Sequence, residues 1–202
     1  MRVLRLLWVA VRFEAALWRS LWLFVTGRRD GRRDGVTTVG YHKAGTGLFV
    51  MLVVGSAVEV PALHFIIPWR PVQLALLVLG IWGVTFSLGL WVAYVVRPYL
   101  VSADGVRLRH GTFTDLRLSW GQIAHVQPRD VRTWERNGFG TAITVEGGRL
   151  AYVVQAETNV ALILTTPITV DGKEVTEVHV GADDPQALVA ALVAGHRVAQ
   201  LT

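Results

Sequence analysis

The 202-residue chain reads as an α+β membrane protein. Its predicted parts are an N-terminal amphipathic helix, a two-helix transmembrane hairpin, and a C-terminal β-barrel or sandwich capped by one α-helix. Three observations carry this. Apolar residues make up 52% of the chain and charged ones 17%, too apolar a balance for an ordinary soluble domain. The excess is concentrated: residues 47–67 hold one formal charge and residues 71–96 none. From residue 98 onward the pattern changes to short apolar runs broken by Gly, Asp and Asn, which is how strands and turns read.

Residues 1–26 come first. Arg5, Arg12 and Arg19 recur every seven residues with Arg2 beside them, and Trp8, Trp18 and Trp22 flank that stripe. Four arginines make a transmembrane span costly, so the stretch is expected to lie in the interface with arginines toward lipid phosphates. No uninterrupted apolar core or cleavage site marks it as a signal peptide. "RRDGRRDG" (28–35) adds Arg28, Arg29, Arg32 and Arg33. Residues 27–46 are therefore expected to be a solvated basic linker, and these arginines, with those of the helix, are the candidate headgroup-binding residues.

The two apolar stretches each exceed the ~20 residues that cross a hydrocarbon core, and only "PWR" separates them. They are expected to form a tight hairpin spanning about 47–67 and 71–96. Basic residues cluster before the first span and at Arg97, whereas the turn has only Arg70. The positive-inside rule then places both termini in the cytoplasm of a multi-pass plasma-membrane protein.

Inside the first span stand Glu59, Pro61 and His64. Pairing the spans antiparallel puts Glu59 opposite Gly80, with Gly83 on the same face as Gly80, where small residues admit close backbone approach. These five are the intramembrane polar candidates. A lone acid here is either packing glue or a proton, ion or partner contact. One Glu and one His supply neither a nucleophile dyad nor a ligand set, so no catalytic residue, metal or cofactor is assigned, and the chain is not expected to be an enzyme.

Residues 98–202 begin with "YLVSADGVRLRHG", two strands around an Asp-Gly turn. Further runs such as "FTDLRLSW", "IAHVQPRD" and "NVALILTTPITV" bring the expected strands to about seven. "GADDPQALVAALVAGHRVAQ" then opens a helix with acids and a proline. The charge divides unevenly: residues 1–97 hold 11 Lys and Arg against 4 acids, and residues 98–202 hold 9 against 11. A net-acidic C-terminal domain lacks the basic footprint of a nucleic-acid module. No cysteine is present, which excludes disulfides and thiolate metal sites.

The order "RPYLVSADGVRLRHGTF", "LSWGQIAHVQP", "TTPITVDG" and "VGADDPQALVAAL" resembles the bacterial PH-like domains that follow transmembrane hairpins. That resemblance implies a cytoplasmic PH-like domain of seven strands and one helix, serving binding and assembly. Phosphoinositide-binding PH domains carry basic residues in the first hairpin loop; here that loop is "SADG", so phosphoinositide binding is not expected. Arg107 and Arg109 alternate on one face of the second strand, a pattern read as its solvated side. "NGFGT" (137–141) is read as a turn, and "WERNG" (134–138) as a loop whose Trp is either exposed or packed. Asp183 and Asp184 beside His179 are read as helix-dipole acids rather than a metal cluster.

Two functions follow. One is a membrane-anchored interaction and assembly module, partnered by the bilayer and by a second copy or another membrane protein. The other is an oligomeric proton- or ion-handling unit centred on Glu59, with the PH-like domain as its regulator.

Overall fold

A computed structural model describes residues 2–31, 33–112, 114–134, 143–152 and 157–200. Three long helices stand at one end: α1 (Arg2–Val25), α2 (Lys43–Ile66) and α3 (Arg70–Val96). Two of them, over Gly45–Leu63 and Arg70–Val96, are long and apolar enough to cross a membrane. Neither is the buried core helix of a soluble protein, because Phe65, Ile66, Trp69, Val78 and Leu79 are all well exposed. α2 and α3 form the expected hairpin, joined through Ile67–Trp69, with Pro71 in the first turn of α3, where its missing N–H costs nothing.

α3 is the middle helix. The three-residue connection turns α2 back antiparallel to it, and the pair is held where Trp91 Nε1 donates to Thr46 Oγ1 at 3.2 Å and Tyr94 packs on Phe49. On another side of α3, Trp82 donates to Glu14, Phe86 meets Phe13, Gly89 lies against Leu17 and Trp91 meets Phe24. Residue numbers rise together on both helices, so α1 runs parallel to α3. The expectation was a helix lying in the membrane interface; here α1 packs lengthwise on α3. The reason is the small-residue seam at Gly89, where an added Cβ would come 3.1 Å from that of Leu17: the α1 face opposite the arginines finds a tight partner. Side chains from Leu7 to Arg12 are exposed.

The strands are β1 (Thr37–Val39), β2 (Tyr99–Ser102), β3 (Gly105–His110), β4 (Thr114–Ser119), β5 (Ile123–Thr133), β6 (Ile143–Glu146), β7 (Arg149–Tyr152), β8 (Glu157–Val170) and β9 (Lys173–Val180). They build two sheets, β1-β2-β3-β4 and β5-β8-β9-β7-β6, with only β7 and β9 parallel. No closed barrel forms among the described residues, so the barrel expectation gives way to two sheets. Among the described residues nine strands form, eight of them within 98–202, where about seven were expected. β9 follows a tight turn in which Asp171 and Gly172 both have positive φ. β1 lies within the supposed linker. Its β-branched "TTV" pairs with the free edge of β2, Thr37 opposite Val101 and Val39 opposite Tyr99.

Helix α4 (Pro185–Ala199) closes one end, with Leu188 and Leu192 fully buried. It packs against β1, β2 and β3 of one sheet and β5 and β8 of the other, so both sheets share one core. Val39 and Tyr41 are part of that core. The apolar helical hairpin is thus an insertion between two paired strands of the same sheet.

Candidate functional site

The densest polar structure lies where the helices meet the sheets. α3 ends at Arg97, whose guanidinium donates to Ser20 Oγ at 2.7 Å and reaches the Ala16 carbonyl of α1. Arg109 of β3, only 2% exposed, donates to Asp30 Oδ2 at 3.1 Å, to the Asp30 carbonyl at 2.8 Å, and to the Pro98 carbonyl. Asp30 also donates its backbone N–H to Val96 at 2.9 Å, and Arg97 and Arg19 lie 3.9 and 3.8 Å from its carboxylate. Burial pulls the Arg97 and Arg109 guanidiniums below their ordinary pKa, and Asp30 opposes the shift for both. One carboxylate from the basic segment therefore ties α1, α3 and β3 together. The solvated reading is corrected for Arg109, which is buried in this clamp; Arg107 stays at the surface, held by both oxygens of Asp115. That pairing keeps the Asp115 carboxyl below its usual range.

A second strut is aromatic. Tyr41 stacks on Tyr99 at 4.5 Å and meets Tyr94 of α3 edge-on. Its hydroxyl oxygen accepts the Gly111 N–H at 2.8 Å, and burial pushes the phenol pKa up. His110 lies 3.1 Å from the Tyr94 hydroxyl through Nε2, while its buried Nδ1 has no partner among the described residues. Burial lowers the His110 pKa to about 4, so the ring is neutral at physiological pH.

The third strut is at Asp183. It accepts the Lys43 backbone N–H, the first of α2, at 2.7 Å and lies 3.1 Å from His42 Nδ1. Asp184 is the N-cap of α4, accepting from the Ala187 N–H at 2.9 Å. The two adjacent acids thus each serve a helix N-terminus, though Asp183 serves a membrane helix rather than its own. His179 instead bonds Glu177 at 2.9 Å. No group of three metal-ligating side chains exists among the described residues.

The intramembrane candidates are not brought together. Glu59 is exposed on α2 rather than packed on Gly80, and no hydrogen bond or ion pair reaches it among the described residues. Gly83 has nothing within 4 Å of where a Cβ would stand. Pro61 sits within α2, which continues past it to Ile66. The His64 side chain lies outside the described residues.

Of the headgroup candidates, Arg28, Arg29 and Arg33 are exposed. Arg12 is exposed too and holds its guanidinium 4.4 Å over the Trp8 ring. Arg32 and the side chains of Arg2 and Arg5 lie outside the described residues. Trp134 is packed, not exposed: it is 3% accessible and donates to Thr158. The rest of "WERNG", and all of "NGFGT", lies outside the described residues. Sequence reasoning missed the roles of Asp30, Arg109, Tyr41 and Asp183, because their partners are distant in the chain.

Comparisons with protein-family models, with curated proteins and with solved structures found no match for this chain.

Proposed function

We propose that this chain is a membrane-anchored interaction and assembly module presenting a PH-like domain at the cytoplasmic face. The observation that carries the proposal is the triple attachment of a two-sheet domain to helices whose surfaces are apolar and exposed. Asp30, Tyr41 and Asp183 fix the domain to all three helices, so its orientation relative to the bilayer is set rather than tethered loosely. A rigidly held, net-acidic domain suits recognition of a partner at a fixed height above the membrane. The helix bridging both sheets supports the PH-like reading, while nine strands exceed the seven of that family.

In this arrangement Arg28, Arg29, Arg33 and Lys43 lie on the domain side and face anionic headgroups, while Arg97 on the same side is buried in the Asp30 clamp. The parallel packing of α1 on α3 carries the start of α1 toward the Arg70 end. The C-terminus is therefore cytoplasmic and the N-terminus lies on the other side, which revises the expectation of two cytoplasmic termini. Arg19, near the end of α1 and exposed, then reaches the near headgroups, as long basic side chains near helix ends do.

Because the chain has no cysteine, single introduced cysteines report topology cleanly. Cysteines at Leu4 and Arg70 should react with an impermeant thiol reagent from outside intact cells, and ones at Asp34 and Lys173 should not. Labelling at Asp34 and Lys173 would overturn the proposed arrangement, as would release of the protein from membranes by alkaline carbonate.

A further inference from the structure

We infer that a second copy of this chain docks on the helices through an ion pair between Arg12 of one protomer and Glu59 of the next. This rests on the membrane-anchored reading above. Glu59 is exposed on an otherwise apolar helix beside Val58 at 67% accessibility, and Arg12 is exposed on α1 beside Val11 at 65%. Neither has an ion-pair partner among the described residues, and Arg12 has only the Trp8 face. An unpaired charge well inside a bilayer is expensive, and such groups normally pair with one another. Arg19 is near enough to a helix end to reach headgroups. Arg12 and Glu59 are not.

Their heights match. The Trp91–Thr46 and Tyr94–Phe49 contacts set the register of α2 on α3, which puts Glu59 level with about residue 80 of α3. The Trp82–Glu14 and Phe86–Phe13 contacts set that of α1 and put Arg12 level with about residues 80–85. At 1.5 Å per residue the difference is at most about 7 Å, which an arginine side chain covers. Within one chain the two cannot meet, because α1 and α2 occupy different sides of α3. The α3 residues that touch α1 (82, 86 and 89) point away from Tyr94, which touches α2; Trp91 touches both Thr46 and Phe24 near the domain end, but α1 and α2 do not pack extensively on each other. The pair must form between copies, α1 of one against α2 of another. Trp8 preorganises the donor: stacked on the indole, the guanidinium keeps its in-plane N–H groups free for a carboxylate.

Charge reversal tests this. In the Arg12→Glu chain both positions are acidic, and in the Glu59→Arg chain both are basic, so each alone should fail to associate. Mixed, each supplies what the other lacks. Full-length chains labelled at Lys173→Cys are reconstituted at low density in phosphatidylcholine vesicles, and association is read by energy transfer. The wild type should associate. Each reversal alone should weaken association about tenfold or more, given the cost of an unpaired intramembrane charge, and the equimolar mixture should restore it. The mixture also controls for misfolding, since two misfolded chains would not complement. Wild-type association in either single reversal, or no recovery in the mixture, overturns the inference. An integrated but monomeric wild type overturns the inference and leaves the anchored reading standing. A chain extractable by carbonate removes both.

Discussion

Asp183, one residue before the N-cap of the last helix, caps a membrane helix that begins 140 positions earlier, accepting the Lys43 N–H at 2.7 Å. Its neighbour Asp184 caps α4 itself. The first turn of a helix leaves four N–H groups without intrahelical partners, and here the folded β domain supplies one acceptor to the anchor. The same carboxylate faces His42 at 3.1 Å, so the domain grips the first turn of α2 at two points.

Replacing either acid by Ala should cost about 0.5–2 kcal/mol, the usual value of an N-cap. The two losses should appear in different places. In Asp183→Ala, amide exchange should quicken at residues 43–46 while the start of α4 stays protected. In Asp184→Ala the pattern should reverse. Hydrogen exchange read by mass spectrometry separates them, and equal loosening of both helices in both variants would refute separate capping.

Buried His110 makes domain stability depend on pH. Burial holds its folded pKa near 4, below its ordinary value of 6.5. Between those values the unfolded chain binds more protons than the folded one, so stability is full above about pH 6.5 and falls as pH drops toward 4. The loss amounts to roughly 3 kcal/mol at 1.36 kcal/mol per pKa unit. Burial also lowers His179, with Glu177 opposing the shift, so part of the slope belongs to that residue. His110→Phe loses the Tyr94 contact at every pH but should flatten stability between pH 6.5 and 4.5. Denaturant midpoints across that range check this, and an unchanged slope would exclude His110 as its source.

β1 and Tyr41 make residues 98–202 an incomplete domain. Those residues alone leave the β2 edge unpaired and remove a side chain that is 1% exposed. Because Val39 pairs with Tyr99, a short Gly-Asn-Gly turn can join residue 41 to residue 98 in place of the membrane hairpin. The joined chain should be soluble and more stable than residues 98–202. Tyr41→Ala in it should cost about 3–5 kcal/mol, as for other large buried aromatics. Equal urea midpoints for the joined and truncated chains would refute a structural role for β1.

The hairpin and the Asp104–Gly105 turn were legible because each is written locally, in uninterrupted apolar length or in a turn dipeptide. The expected spans of 47–67 and 71–96 fall within a few residues of α2 and α3. Asp30 looked like one of two equivalent acids in "RRDGRRDG". Only the fold distinguishes it from exposed Asp34, by bringing Arg109 against it from 79 residues away. β1 was hidden because three residues carry too little period to register, and its partner strand lies across the membrane hairpin.

Glu59 separates the two functional classes. Glu59 is exposed and no hydrogen bond or ion pair reaches it among the described residues, so it adds little to the hairpin's own packing. Glu59→Leu and Glu59→Gln should therefore leave the stability of the isolated monomer within about 0.5 kcal/mol of wild type, the usual range for a change that touches no neighbour. Loss of hairpin stability in Glu59→Leu alone would show that the acid packs inward. An ion- or proton-handling unit makes a different demand. The amide keeps the shape and some hydrogen bonding of the acid but cannot carry a proton, so such a unit must fall silent in Glu59→Gln while remaining assembled. Proteoliposomes of wild type and Glu59→Gln, matched for protein content, should show the same background proton and cation leak if the chain is an assembly module. Flux present in wild type and abolished in the Gln variant would replace the anchored-module reading with the ion-handling one.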